Sequence, residues 1–199
     1  MAFHRRLLLA STSPYRRELL GRLDLPFETL SPEVDEQHLP GEPAAALVGR
    51  LAEAKARAGA TAAPDALVIG SDQVAVLEDA VLGKPGTHGR AVEQLTRLSG
   101  REVEFLTGLC LLDGTDGSAR TEVVSFRVQF RTLTGEQIQH YLRRETPYNC
   151  AGSFKSEGLG IALFERMEGD DPTALVGLPL ITLCTLLARA GVDVLTADT

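Results

Sequence analysis

Several signatures of reactive sites are missing from this sequence. No GxSxG elbow, HExxH helix, Walker A loop or GxGxxG turn occurs, and the four histidines, His4, His38, His88 and His140, fall outside every polar cluster. A serine-hydrolase or zinc-hydrolase reading therefore lacks its parts. Cysteine is scarce: Cys110, Cys150 and Cys184 are the three present, widely spaced and without a CxxC pair. That leaves neither a zinc knuckle nor a disulfide scaffold, and unpaired thiols suit a reducing compartment, so a cytoplasmic protein is expected. Basic residues are outnumbered, 20 Lys+Arg against 27 Asp+Glu, for a net charge of −7 and a pI near 5.1. Such a balance argues against partners that bind cations non-specifically, namely nucleic acid polymers and anionic membranes. A small phosphorylated ligand stays open, because it needs only a few well-placed cations.

Long apolar runs are missing as well. The N-terminus leads into only four apolar residues, Leu7 to Ala10, too few for a signal peptide. The longest uncharged run, Pro172 to Ala188, contains Gly177, Pro179, Thr182, Cys184 and Thr185. It is shorter than the about 20 predominantly apolar residues of a membrane span, and reads as a loop followed by a buried C-terminal helix.

What remains is an ordinary globular composition: 199 residues, 44% apolar and 24% charged, expected to form one domain over residues 1–199. A chain of this size buries roughly 70% of the surface its unfolded form exposes. Leu7–Ala10 predicts a short buried strand running into Ser11-Thr12-Ser13-Pro14, with Ser13 as N-cap and Pro14 at the first helical position. Phe27–Leu30 predicts a strand, Pro43–Ala62 a long alanine-rich helix carrying Lys55, and Leu67–Gly70 a third strand ending in Ser71-Asp72-Gln73. Thr87 caps a helix to Leu98. Two longer strands, Glu102–Asp113 and Thr121–Leu133, flank the turn Gly114-Thr115-Asp116-Gly117, a hairpin signal. In the second, Val124, Phe126, Val128 and Phe130 alternate with polar residues. Thr134-Gly135-Glu136-Gln137 predicts a capping box for a helix to Arg144, and Leu159–Glu165 another strand. The whole predicts an α/β fold with a mixed sheet.

Four polar clusters sit at strand ends or in glycine-bounded loops, where open α/β sheets bind ligands. Ser11, Ser13 and Arg16 form a helix N-terminus suited to an anion, or an ordinary capped helix with exposed arginines. Glu33, Asp35 and Glu36 suit a hard cation such as Mg²⁺, or make a solvated acidic loop. Asp72 offers a metal ligand or general base, or a turn aspartate; Gln73 beside it presents an amide, and Lys84 an ammonium in the rigid turn Gly83-Lys84-Pro85. Lys155 and Glu157, among Gly152, Gly158 and Gly160, form a loop able to approach a ligand closely, or a flexible connection.

The run Leu9-Ala10-Ser11-Thr12-Ser13-Pro14-Tyr15-Arg16-Arg17-Glu18-Leu19-Leu20 resembles the Maf family of nucleoside triphosphate pyrophosphatases. So do Pro32-Glu33-Val34-Asp35-Glu36, Leu51-Ala52-Glu53-Ala54-Lys55-Ala56, Gly70-Ser71-Asp72-Gln73-Val74, Leu82-Gly83-Lys84-Pro85 and Cys150 to Gly158. The resemblance covers nearly the whole chain. It implies an elongated mixed β-sheet flanked by helices with a deep nucleotide-binding cleft, a divalent metal (Mg²⁺ or Mn²⁺), and a homodimer. The branch that cleaves UTP and dTTP usually carries Arg, Thr and Gln where Tyr15, Gln73 and Glu157 stand. These three departures resemble the branch that hydrolyses 7-methyl-GTP.

The resemblance implies cleavage between the α- and β-phosphates, with Asp72 as the water-activating base and Glu33 and Asp72 at the metal. Ser11, Ser13, Arg16, Lys55, Lys84 and Lys155 would bind the triphosphate. Tyr15, Gln73 and Glu157 would set the base, since a base made cationic by methylation stacks on an aromatic face and a carboxylate accepts from guanine's two N–H donors. The other activities compatible with the family are hydrolysis of an unmodified nucleotide such as UTP or dTTP, and a nucleotide-binding role in cell division with little turnover.

Overall fold

The computed structural model describes residues 5–197; His4 and the first residues of the N-terminus lie outside them. The elements run β1 (Leu7–Ala10), α1 (Pro14–Gly21), β2 (Glu28–Leu30), α2 (Ala44–Ala62), β3 (Leu67–Leu77), β4 (Ala80–Leu82), α3 (His88–Leu98), β5 (Glu102–Asp113), β6 (Ala119–Phe130), α4 (Gly135–Glu145), β7 (Phe164–Glu168) and α5 (Leu180–Arg189). Short 3₁₀ turns cover Ala151–Ser153, Leu159–Leu163 and Pro172–Val176. Seven strands make one mixed sheet in the order β2-β1-β3-β5-β6-β7, with β4 hairpinned onto β3. β1 pairs in parallel with β2 and β3, and the remaining pairs are antiparallel.

The sheet is covered on both faces, which is why its central strands read as unbroken apolar runs. On one face Leu7, Leu9, Leu67, Ile69, Leu109 and Leu111 pack with Leu19 and Leu20 of α1 and Leu183, Leu186 and Leu187 of α5. On the other, Leu8, Ala10, Val68, Cys110 and Leu112 meet Ala52 and Ala56 of α2. At the far end of the long hairpin, Phe105, Phe126, Val128 and Phe130 pack with residues of α3 and α4.

Helix α2 rests on β3 and β5 with backbone against backbone. A Cβ at Gly70 would lie 2.0 Å from the Ala52 carbonyl oxygen, and one at Gly108 would lie 2.1 Å from the Val48 oxygen. Neither position admits a side chain unless the helix moves. β3 also runs further than its apolar stretch suggests, continuing through Ser71, Asp72 and Gln73 to Leu77. Asp72 therefore stands inside a strand, paired with Gly108, rather than in a turn after one.

The sequence pattern misplaces one strand. Leu159–Leu163 is a 3₁₀ turn and the strand occupies Phe164–Glu168. Glycines 158 and 160 break the chain there, and Gly160 lies so close to Lys155 that a Cβ would meet its carbonyl oxygen at 2.3 Å. The N-cap at Ser13, the capping box at Thr134 and the cap at Thr87 all form as the sequence indicates.

Because backbone atoms block any Cβ at Gly108, Gly108→Ala should overpack the α2–sheet contact. The expected destabilisation is about 1–3 kcal/mol, a Tm lower by roughly 3–10 °C for a chain of this size. Thermal unfolding followed by circular dichroism measures it; an unchanged Tm would mean that α2 is free to lift from the sheet.

Candidate active site

Two parallel strands end side by side, β1 at Ala10 and β2 at Leu30, where the parallel pairing of β3 with β1 stops at Gly70 and β3 runs on. Ligands in open α/β sheets bind outside such carboxyl ends. Here the segments that follow, Ser11 to Arg16 and Ser31 to Pro32, line a cavity of about 410 Å³ together with Lys55, Gln73, Lys84 and the stretch Asn149–Ala151. That volume suits a small-molecule ligand.

One end of the cavity is charged. Lys55 projects from α2 and is buried, with its Nζ 2.7 Å from Asp72 Oδ1 and 2.7 Å from Glu36 Oε1. Alternation along β3 turns Gly70 and Asp72 toward α2, and the absent Cβ atoms let the helix bring Lys55 to the carboxylate. Lys55 holds the Glu36 carboxyl below its ordinary value of 4.5, assisted by Lys84 and Arg16 and opposed by burial. Arg16 donates from Nε to the Gly177 carbonyl at 2.8 Å and from Nη1 to Ser11 Oγ at 3.4 Å. Burial pushes its guanidinium down from the ordinary value, against Asp72 and Glu36. Ser11 Oγ also accepts from the Ser13 amide, and Ser13 Oγ caps α1 by accepting from the Arg16 amide. Lys84 is exposed at the cavity and has no carboxylate within ion-pairing distance among the described residues. Its turn is held by Gln94, which donates to the Gly83 carbonyl at 3.0 Å and accepts from Ser153 Oγ at 2.5 Å.

The other end carries Tyr15, Cys150, Phe154 and Glu157. Burial, with Cys150, Glu157 and Glu145 nearby, pushes the Tyr15 phenol up to about 12, so the ring stays neutral. Burial raises the Cys150 thiol too; its sulfur lies 3.8 Å from Tyr15 Oη. Phe154 pins the loop to the core, edge-on to Phe105, Phe130 and Phe164 at centroid separations of 5.2, 5.7 and 4.9 Å. Glu157, itself exposed, follows this anchor by three residues.

The structure gathers Ser11, Ser13, Tyr15, Arg16, Lys55, Gln73, Lys84 and Glu157 around one cavity; Asp72 is not among its lining residues but pairs with Lys55, which is. Two residues singled out in the sequence are placed elsewhere. Lys155 turns away: its Nζ donates to the Glu145 carbonyl at 3.0 Å and pairs with the Glu145 carboxylate at 3.6 Å. Glu145 also accepts from the Leu159 amide, so Lys155 fastens the loop ends. Glu33 is exposed and off the cavity lining, whereas Glu36, three residues on in the same loop, reaches Lys55. The acidic run itself offered no register to choose between them. Sequence reasoning also missed Thr107 and Gln94. A single Thr within the apolar strand Phe105–Leu109, directly opposite Gln73 in the ladder, was the one available signal.

No group of three or more His, Cys, Asp or Glu side chains among the described residues forms a metal cage. Mg²⁺ needs none, since one or two carboxylates with substrate phosphates and waters suffice. Asp72 and Glu36 provide that set: Asp72 Oδ2 and Glu36 Oε2 accept no hydrogen bond from any described residue. The donor set fits Mg²⁺ or Mn²⁺.

Residues 6–190 match the family model described as Maf-like protein. The chain is 61% identical over 189 residues to a 7-methyl-GTP pyrophosphatase of Nitrosococcus oceani, covering 95% of each chain. It is 58% identical to one of Thiobacillus denitrificans (96% and 94% covered) and 56% identical to one of Pseudoalteromonas translucida (96% and 95%). The fold is similar to the solved structure of the Staphylococcus aureus Ham1 protein, with a TM-score of 0.53 over 94% of this chain and 100% of that one. At 13% identity this likeness speaks for the fold alone.

The Lys55 contact yields a titration. Lys55 depresses Glu36, so the contact stabilises the fold above the ordinary value of 4.5 and is lost as pH falls through the lower, folded-state value. In Lys55→Met the Glu36 midpoint should rise toward or above 4.5. Carboxyl ¹³C NMR titration reads this; an unmoved Glu36 would show that Lys55 does not govern the site's charge.

Proposed function

This chain belongs to the Maf-like protein family, and from that premise we propose that it hydrolyses the α–β phosphoanhydride of 7-methyl-GTP to 7-methyl-GMP and pyrophosphate. One observation carries the reading: a single cavity joins a cationic end at Arg16, Lys55 and Lys84 to an aromatic, acceptor-bearing end at Tyr15, Gln73 and Glu157. A triphosphate needs the first, and a cationic guanine needs the second. The naming of the relatives after this activity supports the same substrate.

Each residue has a task that its position allows. Arg16, Lys55 and Lys84, with the hydroxyls of Ser11 and Ser13, neutralise and orient the phosphates, the largest contribution expected in such transfers. Lys155 belongs to the loop rather than to the phosphates. Asp72 takes a proton from the attacking water as oxygen adds to phosphorus, the bridging P–O bond breaks and pyrophosphate leaves. A Mg²⁺ or Mn²⁺ ion held by Asp72 and Glu36 would act as Lewis acid on the phosphate oxygens. Tyr15, neutral and half-buried, offers its face to the cationic ring, worth roughly 0.5–2 kcal/mol. Glu157 accepts from the N1–H and N2–H edge. The same reading takes in a cytoplasmic homodimer acting on a small nucleotide; no helix among the described residues is long and apolar enough to cross a membrane.

Asp72→Asn keeps size and removes the base, so turnover should fall by at least roughly 10²-fold while substrate binding persists. Near-normal turnover of the folded variant with 7-methyl-GTP and Mg²⁺ would overturn that role. For the base, Glu157→Gln should depress kcat/KM for 7-methyl-GTP more than for UTP, by about one to two decades in the ratio, as mismatched polar groups do. Tyr15→Ala should shrink the preference for 7-methyl-GTP over GTP, because only the methylated base carries the charge. A nucleotide panel with products resolved by chromatography measures both ratios, and unchanged ratios would reopen the substrate assignment.

A further inference from the structure

Gln73 has little freedom in how it can be used. Its Nε2 lies 2.7 Å from the Ala174 carbonyl oxygen, 3.1 Å from the Leu175 carbonyl oxygen and 3.0 Å from Thr107 Oγ1. The two carbonyls can only accept. Thr107 Oγ1, fully buried, spends its one hydrogen on the Ala174 carbonyl at 2.9 Å, so toward Gln73 it also accepts. Turning the amide over would set Oε1 against all three acceptors. Amide orientation, usually left to inference, is dictated here by its surroundings. Among the described residues every buried side-chain nitrogen or oxygen has a partner, and Oε1 bonds to no protein group. It is therefore open to the cavity that Gln73 lines.

The three acceptors are themselves held. Asp171, buried at the head of the 3₁₀ turn Pro172–Val176, accepts from the Thr173 amide and hydroxyl at 3.1 and 2.6 Å and from the Ile181 amide at 2.8 Å. The turn closes at Gly177, whose φ of 119° favours glycine. Its carbonyl accepts from Ser71 Oγ at 2.9 Å, fixing the turn against β3 one residue before Asp72.

We propose that Thr107, with the carbonyls of Ala174 and Leu175, is a specificity-determining positioning residue that locks Gln73 with its amide oxygen toward the ligand. Two acceptors then face the cavity, Gln73 Oε1 and the Glu157 carboxylate. Such a pair of acceptors selects purines whose edge carries adjacent N–H donors and repels bases that place a carbonyl oxygen against it, as uracil does. This deepens the proposed function and rests on it for the identity of the substrate, but the lock itself is a property of the protein without ligand.

Two measurements separate the two claims. In the free protein, the Gln73 side-chain NH₂ signals, assigned by their loss in Gln73→Met, should exchange with solvent at least about tenfold more slowly than those of exposed glutamines. Exchange at the exposed rate overturns the lock whatever the substrate. In turnover, Thr107→Val should lower the kcat/KM ratio of 7-methyl-GTP to UTP by about three- to tenfold, the effect of one hydrogen bond. Thr107→Ser, which keeps the hydroxyl, should restore it, whereas a general loss of packing would not distinguish the two. Gln73→Met should lower the ratio at least as much as Thr107→Val. Slow exchange with an unchanged ratio in both Thr107→Val and Gln73→Met overturns the specificity role. Absence of pyrophosphatase activity on every nucleotide overturns the proposed function instead and leaves the exchange result standing.

Discussion

The rest of the site depends on how closely α2 approaches the sheet. A helix on a sheet ordinarily keeps its distance because side chains stand between them. Here Gly70 and Gly108 remove those side chains on adjacent strands, and the Ala52 and Val48 carbonyls occupy the space. The consequence is chemical as well as geometric. Only a helix seated that deeply carries Lys55 into the sheet's end, where its buried ammonium meets Asp72 from the strand and Glu36 from the loop at once. Burial of so hydrophilic a group is tolerable because both carboxylates compensate it.

The opposite face of β3 is organised by a different device. Ser71 and Gln73 point away from α2, toward the turn at Pro172–Val176, and its main-chain carbonyls do the organising. The Gly177 carbonyl orients Arg16 and those of Ala174 and Leu175 orient Gln73, so one short turn and its closing glycine set the geometry of both side chains at the cavity. Strand alternation thus divides the segment: even-numbered positions of Gly70–Gln73 face α2 and Lys55, odd-numbered positions the turn that orients them.

Much of this was legible in the sequence, and the limits have physical causes. Helix caps at Ser13, Thr87 and Thr134 are local events governed by neighbouring residues, and they form as read. The apolar runs of β1 and β3 and the hairpin turn at Gly114–Gly117 were equally local. The polar continuation of β3 was not, because Ser71 and Gln73 are satisfied by partners in the C-terminal turn, 106 and 101 residues away, and Asp72 by Lys55 on α2. Lys155 looked like a phosphate ligand because it sits in a glycine-bounded loop, yet Glu145, ten residues before it, holds it. Glu33 and Glu36 are chemically alike, and only the path of the loop over α2 brings the second to Lys55.

The cavity's polarity explains how an acidic protein can select an anionic ligand. The net charge of −7 repels a polyphosphate at long range, but that field is screened within about 8–10 Å at ordinary ionic strength. Inside the cavity the local arrangement decides: Lys55 is engaged by Glu36 and Asp72, and Arg16 and Lys84 add two cations with no carboxylate within ion-pairing distance among the described residues. At the other end the signs reverse, with the Glu157 carboxylate and the open oxygen of Gln73. A ligand that is anionic at its phosphates and cationic at its base meets complementary charge along its whole length. On the function proposed above, a neutral base would lose the attraction at that second end and a base presenting carbonyl oxygens there would meet repulsion, so discrimination would follow from the charges the cavity already holds.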